Sequence, residues 1–346
     1  MVKAIQIGLG HWGFTWTRDV IPKVPTVEMA GYVDTNPDAG ARVQTELGIE
    51  RKLCFLSLED AVQHASAELA ICTLRTEAHY PVVKRCLELG LNVLVEKPFT
   101  TTIAQGRELV ALAEAQGRVL MVSQNYRHQP APIAAAELIA AGQFGPLSMV
   151  SIDFRRHAPT QGYRYWDMPD PLLADMSIHH FDLMRMVLGD EPVRLSCRTW
   201  NPPGSPFSYD PTGVATIEFS KGTVVSYRAS WMSSGPVTPW AGEWVMDAAE
   251  GQIAWTSRDH FRDKQAPDRL SLRALGEEAR PMELTPVAFP DRTGTLATMA
   301  EVVRTGIAPP RFSSGADNLR SLALVQGTIL SAERGGDWVT IEEVLG

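Results

Sequence analysis

From the start to about residue 124, short β-rich runs alternate with helical stretches, the pattern of a parallel sheet wrapped by helices. Six strands are expected, at 4–7, 27–33, 52–55, 69–73, 92–96 and 118–123. The intervening helices carry their own punctuation. Asn36-Pro37 opens one, Ser57-Leu58-Glu59-Asp60 reads as a capping box, and Gly48, Gly90 and Gly117 close others. After Tyr126 the pattern changes to a helix at 132–141, a β run at 148–156 and a helix at 171–188 that Asp170 and Pro171 start as N-cap and N1. Long β segments follow at 193–200, 213–219, 223–231 and 243–248, then a helical pair at 296–304 and 318–334. The expected fold class is α/β plus α+β. A doubly wound parallel sheet occupies 1–124, and an α/β domain with a large, mostly antiparallel open sheet occupies 125–346.

Composition narrows the function. A chain of 346 residues is long for one domain, and its 45% hydrophobic and 21% charged shares are ordinary for a globular protein. No apolar stretch is long enough to span a bilayer, and residues 1–7 run straight into a strand, so neither a membrane segment nor a cleavable signal is expected and the cytoplasm is the default. The net charge of −8 argues against nucleic-acid binding. Four cysteines, Cys54, Cys72, Cys86 and Cys197, form no C-x-x-C pair and are expected to be reduced and mostly buried. No metal site is expected either: Asp175, His179 and His180 are near in sequence, but adjacent histidines diverge on a helix.

Three constellations carry chemistry. Gly8-Leu9-Gly10-His11-Trp12-Gly13 follows the first strand, and the second strand ends at Asp34, the spacing of a dinucleotide site. The first glycine permits a tight turn, the second lets backbone approach a pyrophosphate, and the third lets helix pack on strand. Asp34 can accept hydrogen bonds from ribose hydroxyls and would repel a 2′-phosphate, which favours NAD and leaves NADP as the second choice; Arg42 is the cation within reach of such a phosphate. Next, Val93-Leu94-Val95-Glu96-Lys97-Pro98 ends an apolar strand with two charges at the sheet edge where open α/β sheets bind ligands. Finally, Asp175, His179 and Asp182 fall four and three residues apart on one helical stripe, and a carboxylate beside an imidazole suits proton removal from an alcohol.

Together, the glycine turn, Glu96-Lys97-Pro98 and the Asp175/His179/Asp182 helix resemble the glucose–fructose oxidoreductase, inositol dehydrogenase and rhizopine catabolism (Gfo/Idh/MocA) family. Gln124-Asn125-Tyr126-Arg127 and the stretch 314–335 resemble its crossover segment and closing helix. The resemblance implies a Rossmann domain followed by an α/β domain whose sheet makes a homodimer or homotetramer contact, with the C-terminal helix able to pack back on the Rossmann domain. It implies that Lys97 binds the reacting hydroxyl and nicotinamide ribose, that His179 is acid and base, and that Asp175 assists. Gly8 to Gly13, Asp34, Thr73, Leu74, Arg75, His79, Glu96, Lys97 and Asn125 would hold the cofactor. Tyr126, Arg127, Arg156, Tyr163, Arg164 and Trp166 would face a carbohydrate or cyclitol. The implied activity is NAD(P)-dependent hydride transfer at a secondary alcohol or ketone. One alternative uses the same residues, an NAD-dependent glycoside hydrolase acting by transient C3 oxidation; another is a non-catalytic dinucleotide-responsive binding protein, against which the intact Lys97, Asp175 and His179 set argues. Asp170-Pro171, Ser177 and Arg75 depart from residues common in the family and imply a different local shape.

Overall fold

Val2–Ile7 (β1), Val27–Val33 (β2), Cys54–Phe55 (β3), Leu69–Cys72 (β4), Asn92–Glu96 (β5) and Leu120–Ser123 (β6) form one parallel sheet in the order 3-2-1-4-5-6. That order reverses between β1 and β4, so the carboxyl ends of these two strands flank the crevice where doubly wound sheets take ligands. The computed structural model describes residues 1–157, 164–259 and 267–346. Its chain divides into two units, Met1–Asn125 with Ala288–Leu319, and Tyr126–Val287 with Arg320–Gly346.

In the first unit the crossover helices are His11–Asp19 (α1), Pro37–Leu47 (α2), Leu58–Ala65 (α3), Thr76–Glu88 (α4) and Ile103–Ala115 (α5). Local chemistry starts and stops them as expected. The Asn36 side chain accepts the Asp38 N–H at 3.0 Å and Ser57 accepts that of Asp60 at 3.1 Å, while Gly48, at φ 71°, ends α2 in the left-handed region. All five residues of β5 are buried, as a strand covered on both faces must be. Its side chains alternate between two cores: Val93 and Val95 pack with Ile5, Ile7 and Leu87, and Leu94 packs with Ala4, Leu69, Ile71 and Trp16. One expectation shortens. The segment foreseen as a strand at 52–55 is a 3-10 turn at Arg51–Leu53 followed by a two-residue β3 at the sheet's edge, where strands are commonly short.

In the second unit, Pro130–Ala140 (α6) precedes Leu147–Arg155 (β7), and Ile178–Leu188 (α7) precedes Pro192–Trp200 (β8), Thr212–Phe219 (β9), Val224–Ser230 (β10) and Glu243–Ala248 (β11). Gly251–Thr256 (β12), Arg269–Ala274 (β13), Arg280–Pro281 (β14) and Val339–Thr340 (β15) complete a nine-stranded sheet ordered 14-13-12-11-7-10-9-8-15. Every neighbouring pair is antiparallel except β7 with β10. The pattern of the sequence pointed to the first five of these strands; β12 to β15 are additional. Between β13 and β15 come Asp291–Thr305 (α8) and Gly315–Glu333 (α9). Leu296 and Met299 of α8 join the Leu94 side of the first core. Among the described residues no helix is long and apolar enough to cross a membrane.

Candidate functional site

The glycine-rich turn is built as its three glycines require. Gly8 has φ 92°, and a Cβ there would stand 2.8 Å from Leu74 and 3.0 Å from the Thr73 carbonyl. At Gly13 a Cβ would lie 1.9 Å from the Gly8 oxygen, so only glycine lets α1 close on the turn. A Cβ on Gly10 would meet nothing within 4 Å. The middle glycine therefore faces open space, as a pyrophosphate approaching backbone N–H groups at a helix start requires. Asp34 braces this turn: its Oδ2 accepts the Leu9 N–H at 2.7 Å and its Oδ1 that of Asn36 at 2.9 Å. His11 and Trp12 are exposed at the start of α1, and the Arg292 guanidinium lies 4.5 Å over the Trp12 ring. Arg42 stacks 3.9 Å over Phe14 and pairs with Glu46 at 3.0 Å.

Gln6, which the sequence reading passed over, is the hub beneath the turn. Its Nε2 donates to the Gly13 carbonyl at 2.8 Å and to Thr73 Oγ1 at 3.1 Å, and its Oε1 accepts from Thr17 at 2.7 Å. The signal was a single amide between Ile5 and Ile7, on a strand where burial without partners would be costly. Thr73, from the predicted cofactor set, donates to the Gly8 carbonyl at 2.7 Å.

At the end of β5 the buried Glu96 carboxylate accepts the Trp16 indole N–H at 2.8 Å and the Lys97 backbone N–H at 3.1 Å. Glu96 thus holds α1 and the Lys97 bend in one register. His79 is fully buried rather than lining a surface: Nδ1 faces the Pro98 carbonyl at 2.8 Å and Nε2 the Leu74 carbonyl at 3.2 Å. Carbonyls only accept, and burial pushes this imidazole down toward its neutral form, so the single N–H is assigned to the shorter contact. His79 therefore ties the loop after β4 to the residue following Lys97, while Arg75 is exposed at the start of α4. Asn125 bonds the Asp291 carboxylate through its side-chain amide.

The second unit corrects one local expectation. Asp170 does not cap a helix at Pro171; it sits at φ 46°, and a π turn spans Leu173–Ser177 before α7 begins at Ile178. The N–H groups of Met176 and Ser177 both reach the Leu172 carbonyl, at 3.1 and 2.9 Å, which widens this turn by one residue. Asp175 lies inside the wide turn and His179 in the first turn of α7. His179, 6% exposed, stacks on Tyr126 with ring centroids 4.1 Å apart and planes 5° from parallel. Asp182 goes elsewhere: both its oxygens take the Arg127 guanidinium, at 2.7 and 2.6 Å. Arg156 lies 4.2 Å over the Trp240 ring, and Trp166 sits half-buried in the short helix Arg164–Asp167. Tyr163 lies outside the described residues, as does the side chain of Arg164. Among the described residues no histidine, cysteine and carboxylate cluster suits a metal ion.

His180 points away from its neighbour into a buried chain of hydrogen bonds. Its Nε2 is 2.9 Å from the Trp240 carbonyl, so that nitrogen carries the proton. Nδ1 then accepts from Tyr227 at 2.8 Å, and the Tyr227 oxygen accepts from Ser177 at 2.8 Å. Burial pushes the imidazole from its ordinary 6.5 down to about 4 and raises the Tyr227 phenol. Between those two pH values the unfolded chain holds a proton that the folded one does not, so stability falls as pH drops through the window. The expected loss from this residue is about 3 kcal/mol. Calorimetric unfolding from pH 7 to pH 4 measures it, and His180→Gln should flatten the slope relative to the unsubstituted protein.

Residues 2–124 match the model of an oxidoreductase family with an NAD-binding Rossmann fold, and residues 133–251 match that of the GFO/IDH/MocA C-terminal domain. The chain belongs to the Gfo/Idh/MocA oxidoreductase family. It is thus an NAD-binding oxidoreductase. Among relatives, an uncharacterised protein of Sinorhizobium fredii is 25% identical over 99% of this chain and 96% of its own length. The D-apiose dehydrogenase of Paraburkholderia graminis is 26% identical over 89% of this chain and 82% of its own. In fold, the chain matches an inositol dehydrogenase homologue of Azotobacter vinelandii, crystallised with NADH and myo-inositol. That match has TM-score 0.81 and 18% identity over 98% and 97% of the two chains.

Proposed function

We propose that this Gfo/Idh/MocA protein moves hydride between NAD and a secondary alcohol or ketone of a sugar, cyclitol or related polyol. The observation that carries the reading is the open cradle at Gly10 braced by Asp34, within a chain akin over most of its length to a D-apiose dehydrogenase. Bound NAD supplies the hydride acceptor; the protein's residues handle orientation and the proton. His179, held against Tyr126, takes the hydroxyl proton, Asp175 assists it, and the Lys97 ammonium stabilises the developing alkoxide. Arg127 acts at a distance from substrate, positioning Tyr126 through its pair with Asp182. The substrate is gripped by groups of the second unit, among them Arg156 and Trp166. A homo-oligomer formed through the nine-stranded sheet would cover the exposed Met149 and Val214 on its strands.

The test is formation of NADH from NAD across polyols, aldoses, anhydrosugars and inositols. Net NADH supports dehydrogenation; glycoside cleavage without net NADH would replace it with hydrolysis by transient oxidation, and neither signal would refute catalysis. Cofactor choice follows from Asp34, whose charge opposes a 2′-phosphate, while Arg42 already engages Phe14 and Glu46. NAD should therefore give at least about tenfold higher kcat/KM than NADP, a gap of some 1.4 kcal/mol. Gly10→Ala should fold with unchanged melting temperature yet bind NADH at least tenfold more weakly by fluorescence titration, because its methyl group enters only the cradle.

A further inference from the structure

Helix α1 begins without a capping side chain and without an acidic residue in its first turn, so its own residues leave the positive end of its dipole uncompensated. A second positive group stands beside that turn. The Arg292 guanidinium carbon lies 4.5 Å over the Trp12 ring and 5.8 Å over that of Trp16, and Nη1 donates to Thr15 Oγ1 at 2.8 Å. Trp12, Thr15 and Trp16, spaced three and four residues from the first, make one stripe of α1. Long side chains on a helix lean over the turn before their own, so the Trp12 ring leans toward the helix start and Gly10.

Arg292 is also fixed from its own side. Asp291, the residue before it, sits at φ 58°, uncommon for a residue with a side chain. The Asp291 carboxylate takes the Asn125 side-chain amide and the Arg292 backbone N–H, the latter at 2.8 Å. The start of α8 is thereby tied to the segment that follows β6.

The guanidinium is used unevenly. Nη1 is engaged by Thr15, while Nε and Nη2 donate to no described residue and are not sealed from solvent. Elsewhere in this protein that edge takes a carboxylate in two parallel bonds: Arg127 presents Nε and Nη2 to Asp182, and Arg194 presents them to Glu218. Arg292 makes no such pair among the described residues, and Asp19, at the end of α1, is taken by Arg18 at 2.7 Å instead. The helix start and the guanidinium together present roughly +1.5 charges, close to the −2 of a diphosphate, in a chain whose net charge is −8.

Resting on the reading of the glycine turn as a dinucleotide cradle, we infer that Arg292 binds the cofactor diphosphate through Nε and Nη2, with Trp12 and Thr15 setting the angle of the fork. A residue 277 positions beyond Thr15 thus completes a site that the first strand and turn begin.

The test reads binding rather than turnover. NADH is titrated by fluorescence; ADP-ribose, which keeps the diphosphate but lacks nicotinamide, and adenosine, which has no phosphate, are measured by calorimetry. In Arg292→Met, whose aliphatic stem can stay on Trp12, Kd for NADH and ADP-ribose should rise about 10- to 100-fold, and Kd for adenosine should stay within about twofold. Arg292→Lys, which keeps the charge and loses the fork, should give an intermediate loss on the two diphosphates. Unchanged NADH affinity in Arg292→Met would overturn the inference, as would an equal loss on all three ligands, the mark of a residue that only staples α8 to α1. An unsubstituted protein that binds none of the three would refute the cradle along with it. Arg292-dependent binding of NADH and ADP-ribose without turnover of any polyol would uphold the diphosphate contact and refute the hydride reading. Melting temperatures control for folding, and if Arg292→Met does not fold, Arg292→Lys decides: an unchanged Kd for ADP-ribose there would overturn the inference.

Discussion

His179→Ala is expected to lower kcat for the best substrate by about three orders of magnitude, within the 10²- to 10⁴-fold range of positioned general acid–base groups. NADH affinity should hardly change, because the dinucleotide cradle is built from Gly8 to Gly13, Asp34 and Gln6 of the other unit. Lys97→Met should cost a comparable factor by removing the charge that offsets a forming alkoxide. The informative measurement is the double variant. If both side chains act on one hydroxyl, removing the second adds little once the first is gone, as with groups that work as a unit. Multiplied losses would mean that they serve different steps and would sink the shared role. A separate readout comes from Tyr126→Leu. Loss of a parallel stacked ring releases the imidazole's orientation without removing the base, so kcat should fall less than in His179→Ala while its pH dependence keeps the same shape.

The first unit was legible from pattern because its signals are local and agree with one another. Apolar runs such as Val93-Leu94-Val95 are buried on both faces, Asn36 and Ser57 cap where expected, and the turn at Gly8 has the backbone angle that only glycine adopts freely. The second unit was legible in outline only. Strand β15 is two residues long and takes its register from a partner distant in the chain, Val339 from Leu195, while β12 follows β11 through a tight hairpin that pairs Ala248 with Gly251. The π turn at Leu173–Ser177 was invisible because a shared Leu172 carbonyl, rather than composition, sets it. Sequence spacing put Asp182 on one stripe with His179 but could not name its partner, Arg127, 55 residues upstream.

Asp182→Ala is expected to destabilise the second unit by about 3–5 kcal/mol, because it leaves the Arg127 guanidinium in the interior without this carboxylate. The pair is 5% and 1% exposed, with two parallel bonds of 2.7 and 2.6 Å. Ser321 adds a third bond to Asp182 at 2.9 Å and itself takes Arg185 at 2.7 Å, so the change reaches α9 as well. For a unit of this size the loss corresponds to a drop on the order of 10 °C in melting temperature. The exposed pair of Lys52 with Glu50 is as short, at 2.7 Å, but its side chains are 73% and 64% exposed. Removing it should change stability by no more than about 1 kcal/mol, since water and salt already screen both charges. The contrast isolates burial as the cause. Combining Asp182→Leu with Arg127→Met removes both charges and refills the volume, and it should recover much of the stability lost in Asp182→Ala. Recovery of the melting temperature without recovery of kcat would assign the pair to holding Tyr126, and through it His179, in place. A double variant as unstable as Asp182→Ala would show that packing and the Ser321 bond, rather than the stranded charge, dominate.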